Sequence, residues 1–539
     1  MRAGRGSPLR MVWLPAALGL TLYLVHAARL GDWIVDDAGI SFAYARNLAA
    51  GHGLVAQPGE VPVEGFTNLL WVLLLALPMG LRVFDPVLTP KILGGCFVGV
   101  AFVGIARLVT AGGRRPAWLA TAGLAAAALT SGFVIWCASG LENALYVCMA
   151  VILAVVMAAP IASGSVTGAS IVNEPVRTKR ALLAGGILFL LFCTRPDGAF
   201  YFWIPPFLFG LGPDTSRRRR NLLAYVGAFV LPWFLLTLFR SAYFHDVFPN
   251  TFYAKKGEGA AIFAWMLARW PLPLVVATVL ASGTLVIVAV ACGFHALGRR
   301  LRRWSTPERS ASTMLFLFFA SATSIVLALP GDWMLEHRFA TPMFLFGPAA
   351  GFVLLWDALE RARFRSAIVA VAAVFAVGIA GMYSARHTPA FVVAPTLPLD
   401  AGRETSRRIA RALKPLGPRV AVLTPDVGGA LWEDHFRVID LVGLTDRQLG
   451  RTVRRDRESI RVHILGVRRP EAVWVHTFWM GVTGFDADPD FAAAYAPVWE
   501  DRPAPGSAPI AGLYVRRDVG ATGADGVVRP ASRTAEAGR

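Results

Sequence analysis

The chain has 539 residues, of which 55% are hydrophobic and only 16% are charged, and its mean hydropathy is +0.53. This balance excludes an ordinary water-soluble enzyme and indicates a polytopic membrane protein. The net charge of +18 would suggest nucleic-acid binding in a soluble protein. Here the arginine clusters alternate with apolar runs, so we attribute them to membrane topology and expect no nucleic-acid partner.

Apolar runs of the length that crosses a bilayer, about 20 residues, recur through the first 384 residues. The first run follows a basic N-terminus, and because no clean small-residue cleavage site follows it, we expect an uncleaved span rather than a signal peptide. In chain order, the predicted spans, about eleven in number, are 11–30, 91–111, 117–137, 143–159, 181–194, 199–212, 222–240, 273–296, 313–329, 342–357 and 366–384.

One further apolar run, 65–81, decides the orientation of everything after it. If this run does not cross, every basic cluster in the later connections falls on the side of the basic N-terminus, which is cytoplasmic by the positive-inside rule. If it does cross, all of these clusters fall outside. We therefore predict that 65–81 is a re-entrant or interfacial helix. The clusters are Arg114/Arg115, Arg177/Lys179/Arg180, Arg217 to Arg220, Arg299 to Arg303, and Arg361/Arg363/Arg365.

Under this topology the loops on the outer side hold nearly all the acids and histidines of the membrane part. The spans between 117 and 384 carry almost no ionisable residue in their interiors. Ion-coupled transporters usually bury Asp, Glu or His near the membrane midplane. The distribution favours chemistry at the outer face over transport, with a lipid-linked sugar flippase as the alternative function.

Two adjacent acids, Asp36 and Asp37, follow the first span in the stretch "IVDDAGISFAYARNLAAGHG" (34–53). Residues 38–50 predict an amphipathic helix that ends at Gly51. Asp37 could be the N-cap of this helix, but a cap explains one acid and not two. Adjacent carboxylates near hydrocarbon shift each other's proton affinity, which suits a general base.

Further polar candidates lie at the ends of later spans. Glu142 in "SGLEN" is either a helix cap or a functional acid. "TRPDG" (194–198) joins two short spans, so we expect it to lie in a cavity below the outer surface, with Arg195 at the depth of lipid phosphates.

The positive-inside rule does not explain cations in the outer loops, because it places basic residues on the cytoplasmic side. These cations therefore need another explanation. "PNTFYAKKG" contains Tyr253, Lys255 and Lys256, and "GDWMLEHRF" contains His337 and Arg338. These cations either reach phospholipid headgroups or bind a specific lipid phosphate. The scattered His, Asp and Glu residues show no tight ligand spacing, so we predict no metal site and no cofactor, with a divalent cation as the open alternative. The five cysteines lie in apolar runs and predict no disulfide framework.

Residues 385–516 change character and predict a small α/β domain. Short β-like runs at 419–424, 436–441, 471–477 and 512–517 alternate with helical or loop stretches. An amphipathic helix with a glycine stop is predicted at 404–417. We expect residues 517–539, rich in Gly, Ala and Arg, to be disordered. The predicted fold is thus a polytopic α-helical membrane domain over 1–384 followed by an extracytoplasmic α/β domain over 385–516.

Several of these motifs together resemble a known family. "DDAGISFAYARNLAAGHGLV…EGFTNLLW", "PNTFYAK", "GDWM…RF" and "VIDLVGLTD" are similar to motifs of the GT-C superfamily of polyprenyl-phosphate-sugar glycosyltransferases. They look most like the terminal β-(1→2) arabinofuranosyltransferases of mycobacterial cell walls and their bacterial relatives. The resemblance covers roughly residues 11–385, and "VIDLVGLTD" (438–446) extends it. Gly39 stands where a bulkier residue is expected, and Ala43 where Arg is often found, which bears on donor choice.

The resemblance implies an inverting transfer of a sugar, arabinofuranose or another pentose or hexose, from a polyprenyl-phosphate donor to a cell-envelope glycan or lipid acceptor. It also implies a multi-pass protein of the bacterial plasma membrane, in contact with membrane lipids. Such a reaction needs a base for the acceptor hydroxyl and cations for the leaving phosphate. We predict Asp36 as the base and Asp37 as its partner in orienting substrate. The predicted substrate-binding residues are Arg195, Lys255 and Arg338 for phosphate, Lys256 and His337 as further cations, and Glu142, Asn250 and Tyr253 beside them.

Overall fold

The computed structural model describes residues 8–158, 178–210, 215–255, 307–329, 334, 336–452, 457–502, 507, 509–522 and 528–530. The helices of the membrane part are α1 Pro8–Ala28, α2 Ala38–Ala49, α3 Leu69–Gly80, α4 Leu88–Val109, α5 Trp118–Leu129, α6 Ser131–Cys137, α7 Asn143–Ala158, α8 Thr178–Thr194, α9 Ile204–Gly210, α10 Thr215–Tyr243, α11 Asn250–Lys255, α12 Pro307–Ala328, α13 Thr341–Ala358 and α14 Arg365–Val393. Short 3₁₀ turns occupy Ala111–Gly113, Pro196–Tyr201 and Arg338–Ala340.

Six helices in the described ranges are long and apolar enough to cross a membrane, or seven if the bent pair α5 and α6 counts as one span. The pair is bent by 72°. The bend lies at Thr130, whose backbone is extended rather than helical. The predicted span 273–296 lies outside the described residues, and the number of spans and their orientation stay predictions.

Two apolar segments, 65–81 and 199–212, do not form one long helix in the residues that the structure describes. The run 65–81 contains α3, which has only 12 residues and is therefore about 18 Å long, well short of a bilayer core of about 30 Å. The predicted span 199–212 is instead divided between the 3₁₀ turn Pro196–Tyr201 and the seven-residue helix α9. A single helical span across 199–212 is therefore wrong for the described residues, because α9 alone is too short to cross.

The C-terminal domain, residues 399–530, is built around a mixed five-stranded sheet with the order β2-β1-β3-β5-β4. Strand β1 pairs in parallel with β2 and β3, whereas β5 is antiparallel to β3 and β4. The strands are β1 Ala421–Thr424, β2 Arg437–Asp440, β3 Ala472–His476, β4 Tyr495–Asp501 and β5 Ala511–Arg516. The helices are α15 Leu399–Leu413, α16 Val427–Glu433, α17 Leu449–Thr452, α18 Arg457–Arg461, α19 Thr477–Thr483 and α20 Pro489–Ala494, with a 3₁₀ turn at Lys414–Leu416 and a π-helical turn at Val462–Arg468.

The four predicted strands correspond to β1, β2, β3 and β5, and the predicted amphipathic helix corresponds to α15. Strand β4 was not predicted, because it is an edge strand that contains Pro497 and a register shift before Trp499. The expected disorder of 517–539 is wrong for two stretches, Gly520–Thr522 (β6) and Val528–Pro530 (β7), which pair antiparallel. Val528 in β7 is only 1% exposed, and this burial orders the pair.

Candidate functional site

A buried polar network lies beneath α2 and centres on Glu142, in the loop between α6 and α7. Glu142 is only 2% exposed. Asn68 Nδ2 donates to Glu142 Oε2 at 2.8 Å and to Ser41 Oγ at 3.0 Å. Because Ser41 belongs to α2, these hydrogen bonds connect the loop of Glu142 to α2, the helix that follows Asp36 and Asp37.

Two of the predicted phosphate cations converge on the same carboxylate. The Glu142 Oε1 atom accepts from Arg195 at 2.8 Å and from Arg338 at 3.3 Å. Arg195 also donates to Asp197 at 3.0 Å, and its guanidinium lies 4.9 Å from the ring centre of Phe339. The structure therefore brings Glu142, Arg195 and Arg338 together, with two arginines balanced by two acids.

Glu142 is held as an anion. Its burial alone would raise the pKa, but Arg338 and Arg195 and the Asn68 amide lower the pKa of Glu142 to about 2. A carboxyl group with this pKa stays ionised near neutral pH and is a weak base. In the network it is the counter-ion of the two arginines.

Asp37 immediately precedes α2, and Ser41 of that helix belongs to this network. Asp37 stands four residues before Ser41, and residues four apart on a helix share a face. The loop of Glu142 packs against the start of α2, since a Cβ on Gly140 would lie 3.2 Å from Ala38 Cβ. Asp37 is half-buried, and its side chain makes no capping hydrogen bond to α2. Asp37 therefore occupies the N-cap position, as predicted, but its side chain does not cap the helix.

Asp36 faces a different partner, the C-terminal domain. Its two carboxylate oxygens accept the backbone N–H groups of Gly428 at 3.0 Å and Gly429 at 2.8 Å. The side chain is 3% exposed. Burial, together with the charges of Asp426 and Asp37, raises the pKa of Asp36 well above its usual range. The carboxylate of Asp36 thus contributes to the contact between the membrane part and the C-terminal domain.

The close approach of α2 and α16 explains an unusual residue of the sequence. A Cβ on Gly39 would overlap the backbone carbonyl of Gly428, and a Cβ on Gly428 would overlap the backbone of Asp36. The bulkier residue that the family resemblance leads one to expect at position 39 would not fit here. Sequence reasoning missed this contact, because its only signal was the pair of glycines at 428 and 429.

Asn250, predicted to contact substrate hydroxyls, also serves the docking of the C-terminal domain. Its Nδ2 atom donates to the backbone carbonyls of Gly443 at 2.7 Å, Leu444 at 3.0 Å and Asp446 at 3.1 Å. Gln57 makes a similar contact, since its Nε2 donates to a carbonyl and its Oε1 accepts a backbone N–H of β2. Sequence reasoning missed Gln57, which has no motif around it.

Of the remaining predicted residues, the structure describes Tyr253, Lys255 and His337. Tyr253 packs beneath the guanidinium of Arg451 at 4.7 Å, and Lys255 ends α11 with an exposed side chain. His337 is half-buried, and burial together with nearby His387 lowers the pKa of His337. Lys256 lies outside the described residues. Among the residues that the structure describes, no group of three His, Cys, Asp or Glu side chains is placed to hold a metal ion.

Comparison with known proteins shows a shared fold at low sequence identity. No family profile and no curated protein sequence matches the chain. The structure of ArnT from Cupriavidus metallidurans bound to undecaprenyl phosphate aligns with a TM-score of 0.51 and 13% identity, covering 94% of this chain and 98% of ArnT. The oligosaccharyltransferase AglB of Archaeoglobus fulgidus, in complex with an inhibitory peptide and a dolichol-phosphate, aligns with a TM-score of 0.52 and 12% identity, covering 91% of this chain and 73% of AglB.

In the complex of the Archaeoglobus fulgidus oligosaccharyltransferase with Zn and sulfate, the match spans 62% of that protein and 80% of this chain, at 12% identity and a TM-score of 0.50. These proteins are GT-C glycosyltransferases with helical membrane domains. The likeness, which extends over nearly the whole of ArnT, is one of fold. The chain therefore has the GT-C fold.

Proposed function

We propose that this chain is an inverting glycosyltransferase that moves a sugar from a polyprenyl-phosphate donor to a cell-envelope glycan or lipid acceptor, at the outer face of a bacterial plasma membrane. The GT-C fold supports this proposal, because ArnT and AglB carry undecaprenyl phosphate and a dolichol-phosphate in their structures. The observation that carries it is the chain of hydrogen bonds from Ser41, one helical turn after Asp37, through Asn68 to Glu142, which binds Arg195 and Arg338.

In the proposed reaction Asp37 takes the proton of the acceptor hydroxyl. The acceptor oxygen attacks the anomeric carbon of the donor sugar, and the bond between that carbon and the phosphate oxygen breaks. The polyprenyl phosphate leaves with the bonding electrons, and the cationic groups of Arg338 and Arg195 stabilise its growing charge. We assign the base to Asp37 rather than Asp36, because both oxygens of Asp36 are engaged by Gly428 and Gly429.

Arabinofuranose is the first sugar to test, because the sequence motifs resemble arabinofuranosyltransferases. The assay combines purified protein in nanodiscs with a cell-envelope glycan or lipid acceptor and either a synthetic polyprenyl-phosphate arabinofuranose or a hexose-bearing analogue, and it measures the release of free polyprenyl phosphate. The expected result is release with one sugar class and a kcat for Asp37→Asn lowered about 10²-fold or more, the typical scale of a lost general base.

Asp32→Asn is the matched control, because Asp32 is an exposed acid of the same loop. It should retain the full rate. Wild-type kcat in the Asp37→Asn variant would exclude Asp37 as the base, and no release from any donor by the wild-type protein would exclude the proposed reaction.

A further inference from the structure

The segment just before Arg338 has an unusual backbone. Glu336 and His337 are consecutive non-glycine residues with φ values of 65° and 56°, and we call this pair the left-handed turn. In that region of φ the Cβ atom crowds the backbone, so residues other than glycine occupy it only where the surrounding structure holds them there. The contacts around the left-handed turn therefore show what fixes the position of Arg338.

The backbone of the left-handed turn is anchored on α6. The Glu336 carbonyl accepts the Nε1–H of Trp136 at 3.1 Å. A Cβ on Gly132 would lie 2.5 Å from the same carbonyl oxygen, so the turn lies directly against this helix. The next carbonyl, that of His337, accepts the Ala340 N–H at 2.8 Å. These contacts hold the backbone of the turn, whereas the carboxylate of Glu336 has a different partner.

The side chain of Glu336 contacts α14, the last helix of the membrane part. Its Oε1 atom lies 3.4 Å from Nδ1 of His387, and this contact is an ion pair when the imidazole is protonated. The imidazole is stacked on the ring of Tyr383, with 3.7 Å between the ring centres and 15° between the planes. Because the stack limits the rotation of the imidazole, it keeps Nδ1 directed at the carboxylate. Glu336 and His387 thus connect α14 to the left-handed turn.

Arg338 follows the left-handed turn directly, and its side chain reaches the Glu142 network. Arg338 Nη2 donates to Glu142 Oε1 at 3.3 Å, and Asn143 Nδ2 donates to the Arg338 carbonyl at 3.1 Å. A change of φ in the turn would rotate the chain that follows it and displace the guanidinium. Charge-assisted hydrogen bonds are short, about 2.7–2.9 Å, so a small displacement weakens them. The conformation of the turn therefore determines how well Arg338 can bind an anion.

We propose that Glu336 and His387 are positioning residues, whose contact holds the left-handed turn in the form that directs Arg338 towards Glu142 and the phosphate of the lipid donor. The inference rests on the proposed glycosyltransferase reaction for the role of Arg338. Neither positioning residue touches the substrate, because both act through the backbone of the turn. Without their contact the turn relaxes towards more common values of φ, and the guanidinium moves with it.

The first test measures binding of undecaprenyl phosphate to purified full-length protein in nanodiscs, without a sugar donor. Glu336→Ala removes the carboxylate, and His387→Phe removes Nδ1 while it keeps an aromatic ring to stack on Tyr383. His435→Phe is the matched control. His435 also lies beside a glutamate, 3.2 Å from Glu433, and 43% of its side chain is exposed, against 38% for His387.

We expect each of the two variants to raise the Kd of undecaprenyl phosphate about fivefold or more, and the double variant to raise it no further than the stronger single variant, because the two residues act through one contact. His435→Phe should bind with wild-type affinity. Glu336→Gln should bind more tightly than Glu336→Ala, because its amide oxygen can still accept a hydrogen bond from Nδ1. Thermal unfolding identifies which variants are folded, and the comparison uses those.

The release assay separates positioning from a general loss of structure. The folded variants should raise the KM of the sugar donor and leave the KM of the acceptor unchanged. Wild-type affinity for undecaprenyl phosphate in a folded His387→Phe or Glu336→Ala variant, additive losses in the double variant, an equal loss in His435→Phe, or an equal rise in both KM values would overturn the inference. Failure of the proposed reaction shows separately, as a lack of polyprenyl phosphate release by the wild-type protein, because the binding test needs no turnover.

Discussion

Asp36 and Gly429 are 393 residues apart in the chain, yet Asp36 Oδ1 accepts the Gly429 N–H at 2.8 Å. The second oxygen accepts the Gly428 N–H at 3.0 Å. A buried carboxylate needs such donors, because burial removes the water that would otherwise bind it. The first of the paired acids thus attaches the C-terminal domain to the membrane part, whereas the second occupies the N-cap position of α2.

Gly428→Ala should disrupt this attachment. A Cβ at position 428 would overlap the backbone of Asp36, so the helix α16 must move away from α2. We expect a loss of about 1–3 kcal/mol in unfolding free energy, the usual cost of overpacking. Faster hydrogen exchange over residues 421–433 would report the movement.

Gly466→Ala is the control for this variant, because a Cβ on Gly466 would meet no atom within 4 Å. It should exchange hydrogen over 421–433 at the wild-type rate. Equal exchange in the two alanine variants would contradict the proposed contact between α2 and α16.

Asn250→Asp should destabilise the protein more than Asn250→Ala. The alanine removes the amide that donates to three backbone carbonyls, whereas the aspartate also places a negative charge against these carbonyl oxygens. For the alanine we expect a loss of about 1–3 kcal/mol, measured by chemical unfolding. A raised KM for donor or acceptor in a variant of unchanged stability would instead support Asn250 as a substrate contact.

Glu142→Gln should remove a pH-dependent part of the stability. The pKa of Glu142 is about 2 in the folded protein, against 4.5 for an ordinary glutamate. The stabilisation is therefore complete above pH 4.5, and it is lost as the pH falls from 4.5 towards 2. It amounts to about 3 kcal/mol, since each unit of pKa corresponds to roughly 1.4 kcal/mol.

Chemical unfolding at pH 3 and pH 6 measures this effect. The stability difference between the two pH values should be smaller in Glu142→Gln than in the wild-type protein. Glu404→Gln, which changes an acid with 64% of its side chain exposed, should leave the difference unchanged. An identical pH dependence in the wild-type protein and in Glu142→Gln would rule out Glu142 as a stabilising anion.

The orientation of the helices predicts the labelling of single cysteines. In a cysteine-free background, Arg218→Cys at the start of α10 should resist a membrane-impermeant thiol reagent added to intact cells. Val61→Cys in the first loop should react, because Val61 is 68% exposed and is predicted to lie outside. Reaction of the cysteine at 218 from outside would reverse the predicted topology.

Several elements could be predicted from the sequence because their signals are local. The period of apolar residues over 38–50 predicts α2, which spans Ala38–Ala49 and is followed by Gly51 with a φ of 84°. Four strands of the C-terminal sheet follow from short runs of β-branched and aromatic residues. These patterns lie within a few residues of one another, so they do not depend on how the chain folds back on itself.

The tertiary structure alone decided which of the two adjacent acids bonds to the C-terminal domain. The two acids are adjacent and have nearly the same sequence neighbours. Only the hydrogen bonds from the N–H groups of Gly428 and Gly429 distinguish Asp36 from Asp37. The same holds for Asn250, whose partners lie 193 to 196 residues away. A hydrogen bond depends on distances of about 3 Å between groups far apart in the chain, so sequence identified the polar residues, while only the docking of the C-terminal domain determined their partners.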